Sequence, residues 1–188
     1  STMSVNKTAL EIKSSPIIYG NNDILDYHEV RGKRIRQIGR SVAIQIPEDK
    51  LEYANGHYTI NQDLLEDLNI CPEHDAFHEK ISAQPSLGTC SGFLIEEDVL
   101  LTASHCVESL SDCEENFWAF DFKSDPQNIA PSNFKATNVH KCIEIIDQNK
   151  SLDYAILKLD RPVLGRKPLQ MRQRGKILKD SKLVVVGY

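Results

Sequence analysis

The stretch that decides the fold is CSGFLIEEDVLLTASHCV, residues 90–107. Two apolar runs, CSGFLI and VLLTA, flank the acidic residues 96–98, and this pattern is typical of two strands joined by a turn. The second run ends in small residues, followed by His105 and Cys106. A histidine at a strand end is usually an ordinary polar residue, so its meaning depends on its surroundings.

The two cysteines give this histidine a defined place. Cys90 and Cys106 lie at the outer ends of the predicted hairpin, where a disulfide could join them. Such a bond would fix the loop that carries His105. A histidine that acts as a general base must be held within reach of its nucleophile, and a second group must orient its ring.

The segment DYAILKL, residues 153–159, offers the orienting group. Asp153 directly precedes a strand whose alternate residues share one apolar face, so we expect its carboxylate to be partly buried at the edge of the core and to need a partner. Taken alone, Asp153 could cap the strand or pair with Lys150. Because the histidine motif precedes it in the chain, we favour a pair with His105.

Composition limits the classes of function. The chain has 188 residues, of which 40% are hydrophobic and 26% charged, as expected for a globular protein. The formal net charge is -5, and lysine and arginine look scattered rather than striped, so we expect neither nucleic acid nor membrane as a partner. No apolar run approaches the ~20 residues that span a bilayer. The first residues lack the pattern of a signal sequence, so we expect that any targeting peptide has been removed or was never included in this sequence.

The chain has five cysteines and several histidines, which are the residue types that bind metals such as zinc. The cysteines lack the paired C-x-x-C spacing of zinc sites, which favours disulfides and an oxidising compartment, either secreted or periplasmic. His74 and His78 have helical spacing but no evident third ligand, so we predict no metal and no other cofactor. We expect surface positions for the remaining histidines outside the motif, His28, His57 and His140.

The character of the chain changes near residue 80. Before it, RSVAIQI, residues 40–46, alternates like a strand, and residues 59–70 favour a short surface helix. After it, short segments rich in β-branched and aromatic residues predict an all-β domain, either a sandwich or a barrel. Trp118 and Phe120 alternate as a buried strand face would.

The order CSGFLI, VLLTASHC, DYAILKL resembles the N-terminal barrel of the trypsin/chymotrypsin-like serine proteases. The resemblance implies a Greek-key β-barrel, the first of two, with the active site between them and no cofactor. It implies that His105 is the general base and that Asp153 orients it in a Ser-His-Asp triad that hydrolyses protein or peptide substrates. Ser104 stands where the family usually has alanine or glycine, with little consequence expected.

A finer resemblance concerns the N-terminal arm. IIYGNND, residues 17–23, is similar to the mature N-terminus of the bacterial glutamyl endopeptidases, and CSGFLI with ILDYHEV upstream is similar to their secreted relatives. This implies a zymogen in which residues 1–16 are a pro-segment remnant, with residues 17–181 as the barrel and an insertion near residues 48–80. A preference for glutamate rests on this resemblance alone.

The other cysteines fit a secreted protease of this kind. We expect a disulfide between Cys113 and Cys142, which would join the segment after the histidine loop to a neighbouring strand. Cys71 is left over. It is either a free thiol or the partner of a cysteine in a C-terminal half.

The nucleophile is not visible in this sequence. The family carries it in a G-D-S-G-type loop, whereas Ser181 alone follows Asp153 and has no adjacent glycine. Residues 182–188, KLVVVGY, resemble the first strand of a second barrel that is otherwise absent. Three explanations follow: a C-terminal protease half supplies the serine, the chain is an inactive half, or it is a pseudoprotease that binds proteins. Retention of both His105 and Asp153 argues against a pseudoprotease, and of the three explanations we favour the first.

Overall fold

The computed structural model describes residues 24–61, 87–123 and 131–188. Its strands are β1 Val42–Pro47, β2 Leu51–Ala54, β3 His57–Ile60, β4 Cys90–Leu94, β5 Val99–Thr102, β6 Asn116–Phe120, β7 Asn133–Lys135, β8 Val139–Asn149 and β9 Tyr154–Leu159. Its helices are α1 Lys33–Gly39 and α2 Leu110–Glu114, with 3-10 turns at Glu48–Lys50, Ser104–Cys106 and Ala136–Asn138.

The predicted hairpin is present as β4 and β5. These strands pair antiparallel, with Phe93 opposite Leu101 and Leu94 opposite Leu100. The turn between them is closed by the Ile95 amide, which donates to the Val99 carbonyl at 2.9 Å. The two apolar runs around an acidic turn were therefore sufficient to predict this unit.

Six strands close into an antiparallel barrel in the order β1, β4, β5, β9, β8, β6. Closure removes the unpaired edges that an open sheet would expose to other chains. The prediction of an all-β fold is confirmed, and of the two architectures left open, the structure has the barrel.

The barrel interior is filled by large apolar side chains. Trp118 and Phe120 are fully buried, as expected, and they pack with the apolar face of β9. Gly92 lies against this core, because a Cβ atom there would come within 2.3 Å of Leu100 Cδ2 and 2.8 Å of Trp118 Cζ3. Only a residue without a side chain allows the β4 backbone to approach the core this closely.

A second sheet covers part of the outside of the barrel. It has the order β2, β3, β7, and its residues enclose a separate apolar cluster with Ile44, Ile46 and Phe117 of the barrel. Strand β1 is buried on both faces, from Val42 to Ile46. The strand predicted from RSVAIQI is present, but its alternation does not mark an exposed face, because the second sheet covers the outer side.

His140 on β8 corrects one expectation. Its side chain is 1% exposed rather than at the surface, and its ring stacks edge-on against Phe120 with centroids 5.7 Å apart. Burial, with Arg161 nearby, lowers the pKa of His140 to about 4, although Asp160 lies 3.5 Å from its Nδ1 atom. His57 is exposed and His28 is half-buried.

The helix predicted over residues 59–70 is wrong at its start, because Thr59 and Ile60 belong to strand β3. Residue 61 has no regular secondary structure, and residues 62–70 lie outside the described residues, as do residues 1–23, Cys71, His74 and His78. Residues 182–188 have no regular secondary structure. Their end is held by the Tyr188 amide, which donates to Ser91 Oγ at 2.7 Å.

Candidate active site

His105 lies in the 3-10 turn Ser104–Cys106, directly after strand β5. A disulfide joins Cys106 of this turn to Cys90 at the start of β4, with a Cα–Cα distance of 6.0 Å. The His105 side chain is 67% exposed. The turn therefore presents the imidazole to solvent while its neighbour is tied covalently to the barrel.

Asp153 stands at the entrance of strand β9 in the left-handed conformation, with φ of +52°. The preceding turn is closed by Asn149 Oδ1, which accepts the Leu152 amide at 2.9 Å. A left-handed residue redirects the chain within one position, and aspartate tolerates this conformation better than most residues. The turn directs the Asp153 carboxylate toward the histidine loop.

The structure brings His105 and Asp153 together. The Nδ1 atom of His105 is 2.9 Å from Asp153 Oδ2 and 3.0 Å from Oδ1. The backbone amide of His105 also donates to Oδ1 at 3.1 Å. The alternative partner, Lys150, instead lies 3.8 Å from Glu108. The Asp153 carboxylate is more exposed than expected. Half of its side-chain surface is open to solvent, because the described residues leave this edge of the barrel uncovered.

The electrostatics fix the roles of the ring nitrogens. The backbone amide of His105, and then its ring, hold the pKa of Asp153 below its ordinary value. An ionised carboxylate only accepts hydrogen bonds, so Nδ1 carries the proton that it receives. In the neutral imidazole, Nε2 then has a free lone pair. The hydrogen bonds of the ring, within the described ranges, go to Asp153, which leaves Nε2 free to accept a proton.

Two glutamine side chains hold the histidine turn from behind, and the sequence analysis missed both. Gln148 Nε2 on β8 donates to the Val107 carbonyl at 2.7 Å, to Ser104 Oγ at 3.0 Å and to the Ser104 carbonyl at 3.3 Å. Gln45 Nε2 on β1 donates to the Cys106 carbonyl at 2.9 Å. A buried carbonyl needs a donor. Within the described residues, the turn's own Val107 amide donates to the Ser104 carbonyl at 3.3 Å, whereas the Val107 and Cys106 carbonyls receive their bonds from the two glutamines.

The second expected disulfide is also present. Cys113 of helix α2 is bonded to Cys142 of strand β8, with a Cα–Cα distance of 5.1 Å. The helix begins at a capping box in which Ser109 Oγ accepts the Asp112 amide and Asp112 accepts the Ser109 amide. This bond packs α2 against the long strand that also carries Gln148.

One cluster near the site has the composition of a metal site. Potential ligand atoms of Cys90, His105 and Cys106 lie within 4.8 Å of one another. The two sulfur atoms form a disulfide, however, and a metal requires thiolates. This cluster therefore does not fit a metal ion.

The segment that carries this geometry matches a known protein family. The family model described as trypsin-like peptidase domain matches residues 90–188, which include β4, the histidine turn and Asp153. The chain belongs to this family. No curated protein matches the chain.

Membership of the trypsin-like peptidase family supports a serine protease and agrees with the closed barrel. The two disulfides of this trypsin-like domain are typical of proteins from oxidising compartments. No helix among the described residues combines the length and the apolar character needed to cross a bilayer.

Proposed function

We propose that this chain supplies the general base and its orienting carboxylate to a serine endopeptidase with a Ser-His-Asp triad. The observation that carries the proposal is the contact of Asp153 with both the ring Nδ1 and the backbone amide of His105, at 2.9 to 3.1 Å. The double contact fixes the ring and its tautomer together, which is what a general base needs.

The chemistry follows from this arrangement. Nε2 of His105 accepts the proton of a serine hydroxyl as that oxygen attacks the peptide carbonyl, and then returns the proton to the leaving amine. Asp153 stays ionised and stabilises the imidazolium that forms between these steps. Its lowered pKa supports this role, because the carboxylate remains charged well below neutral pH.

The nucleophile is proposed to come from residues outside this sequence, as part of a second barrel that begins at residues 182–188. Supporting this, the apolar side chains of Leu183, Val184 and Val185 are 69%, 63% and 95% exposed. A run of exposed apolar residues is typical of a surface that another part of a protein covers.

The finer assignment rests on the sequence alone. We extend the proposal to a secreted or periplasmic enzyme of the glutamyl-endopeptidase type, with residues 1–16 as a pro-segment remnant and cleavage before Ile17. The residues of the mature N-terminus lie outside the described ranges. The two disulfides support an oxidising compartment.

The test uses the full open reading frame that contains residues 1–188. His105→Ala and Asp153→Asn are compared with the wild type on fluorogenic peptides, and a fluorophosphonate probe reports the reactive serine. We expect kcat to fall by about 10³- to 10⁴-fold or more in both variants, and the probe to label the wild type. His57→Ala is the matched control, because His57 is exposed on the outer sheet.

Substantial turnover by the His105→Ala variant would contradict the proposal. A folded wild type that neither cleaves peptides nor reacts with the probe would favour the alternative of an inactive barrel that binds proteins.

A further inference from the structure

Basic residues are concentrated in two segments of the chain. Residues 31–40, RGKRIRQIGR, contain five basic residues and no acidic one, and residues 166–182 contain seven basic residues and one acidic one. Together they hold twelve of the 22 lysines and arginines, and the rest of the chain has ten basic against 26 acidic residues. The expectation that lysine and arginine are scattered evenly along the chain is therefore wrong.

The fold joins these two segments. Arg166 Nη1 donates to the Arg40 carbonyl at 2.6 Å, and Ser41 Oγ donates to the Lys167 carbonyl at 2.8 Å. Just beyond the other end of the second segment, a methyl group of Val186 lies beside Gly39. The second segment thus begins next to the C-terminal end of α1, and the chain comes back to the same place just after the segment ends. We call residues 31–40 and 166–182 together the basic surface.

The charges of this surface are not neutralised within the described part of the chain. Arg166 pairs with Asp121 at 2.7 Å, but no carboxylate there lies within 4 Å of the other eleven basic side chains. The five basic residues of the first segment are all exposed. Like charges at helical spacing repel one another, so an anionic partner would relieve this repulsion.

A groove lies within the basic surface. It has a volume of about 430 Å³ and is lined by Tyr27, Lys33, Arg36, Gln37 and Arg40. All five side chains can donate hydrogen bonds, and the two guanidinium groups can bind carboxylates with two parallel bonds. The helical positions share one face and extend over about 10 Å. Alternate side chains of an extended peptide, about 6.7 Å apart, cover a similar length.

We propose that the basic surface binds an acidic polypeptide segment, with the groove taking its carboxylates. The Tyr27 ring is already covered by the Lys123 ammonium group, 4.7 Å from its centroid, and residues 166–182 contain no aromatic residue. The surface therefore lacks a free platform on which nucleic acid bases could stack. Ile177 and Leu178 are exposed between the cations, and these suit a polypeptide better than a sulfated sugar.

The basic surface contains neither His105 nor Asp153, so it can be tested without turnover. A fluorescein-labelled oligoglutamate peptide is titrated with the wild-type chain, by fluorescence anisotropy, at low salt and at ~0.15 M salt. The test variant combines Lys33→Gln, Arg36→Gln and Arg40→Gln, with thermal unfolding as the check on folding. We expect the dissociation constant to rise about tenfold or more in this variant, because three close ion pairs are lost.

The matched control removes the same charge elsewhere, by Lys135→Gln, Lys141→Gln and Lys150→Gln. We expect it to change the dissociation constant less than about twofold, because these residues lie outside the basic surface. Equal weakening in both triple variants would overturn the proposal, since only net charge would then matter.

Two further probes decide the class of partner. Heparin and vesicles of phosphatidylcholine with phosphatidylserine replace the peptide in the same titration. Binding of either probe in the absence of oligoglutamate binding would overturn the proposal. His105→Ala should leave oligoglutamate binding unchanged, so a failure of the endopeptidase proposal would not be confused with a failure of this one.

Discussion

The substitution Gln148→Glu tests how the histidine turn is held. Glutamate has nearly the same size and shape as glutamine, but when ionised it has no hydrogen to donate. In the structure, the Gln148 amide nitrogen donates to the carbonyls of Val107 and Ser104 and to the Ser104 hydroxyl, at 2.7 to 3.3 Å. The variant would place a negative oxygen against both carbonyl oxygens and would leave the Val107 carbonyl without a donor, while the Ser104 carbonyl keeps the Val107 amide at 3.3 Å.

The expected cost follows from the bonds that are lost. Each hydrogen bond to a carbonyl contributes about 1 kcal/mol net, and an acceptor left without a donor costs about 1–3 kcal/mol. The Ser104 hydroxyl can turn to donate to the new carboxylate, and the Ser104 carbonyl keeps the Val107 amide as a donor, so only the Val107 carbonyl counts in full. We therefore expect a loss of about 2 kcal/mol, which lowers the melting temperature by about 4–8 °C in a domain of this size.

The assay is thermal unfolding followed by circular dichroism, at pH 7.5 and again near the pKa of glutamate. The introduced carboxyl group regains one donor when it is protonated, so the difference from wild type should shrink as the pH falls. Gln170→Glu is the matched control, because Gln170 is exposed, and it should leave the melting temperature nearly unchanged. If Gln148→Glu melted like the wild type at pH 7.5, the proposed support of the turn by this side chain would be refuted.

Three other variants, one of them a double substitution, test the disulfide, the buried histidine and the core. Replacing both Cys90 and Cys106 by serine should lower the free energy of unfolding by about 3 kcal/mol, measured by urea denaturation, because the crosslink closes a loop of 16 residues. The free energy of unfolding of the wild type should fall by up to about 3 kcal/mol as the pH is lowered from 6.5 to about 4, because His140 takes up a proton more readily in the unfolded chain. Urea titrations at each pH should show a weaker pH dependence of this free energy in His140→Gln. An unchanged pH dependence would rule out His140 as its source. Gly92→Ala should cost at least about 1–3 kcal/mol, since its methyl group would overlap Leu100, and normal stability would show that the core is looser than described.

Much of the barrel, and the pair of His105 and Asp153, could be predicted because the sequence motifs that indicate them are local. The hairpin β4–β5 follows from apolar runs around an acidic turn, and the Cys90–Cys106 bond follows from the hairpin. The pairing of His105 with Asp153 joins residues far apart in sequence. This pair could be predicted only because each residue lies in a recognisable motif, and the resemblance to a protease family assigned the two motifs to one active site.

The remaining features depend on contacts that no local pattern reveals. A glutamine such as Gln45 within an alternating strand is an ordinary polar residue until the fold places a turn carbonyl beside it. His140 was predicted at the surface because a single polar residue usually marks a solvent-facing position, whereas its register opposite Trp118 on β6 turns it to the same buried side of the sheet as Trp118 and Phe120. The basic surface was missed for a related reason, since its two segments are more than a hundred residues apart.

The most direct test of the central claim is the protonation state of His105, measured by nitrogen-15 NMR of its ring on this chain above pH 8. We predict that Nδ1 carries the proton and bonds to Asp153, that Nε2 is unprotonated, and that Asp153→Asn abolishes this preference. A ring protonated mainly on Nε2, with no response to Asp153→Asn, would contradict the claim that the fold holds His105 as a general base.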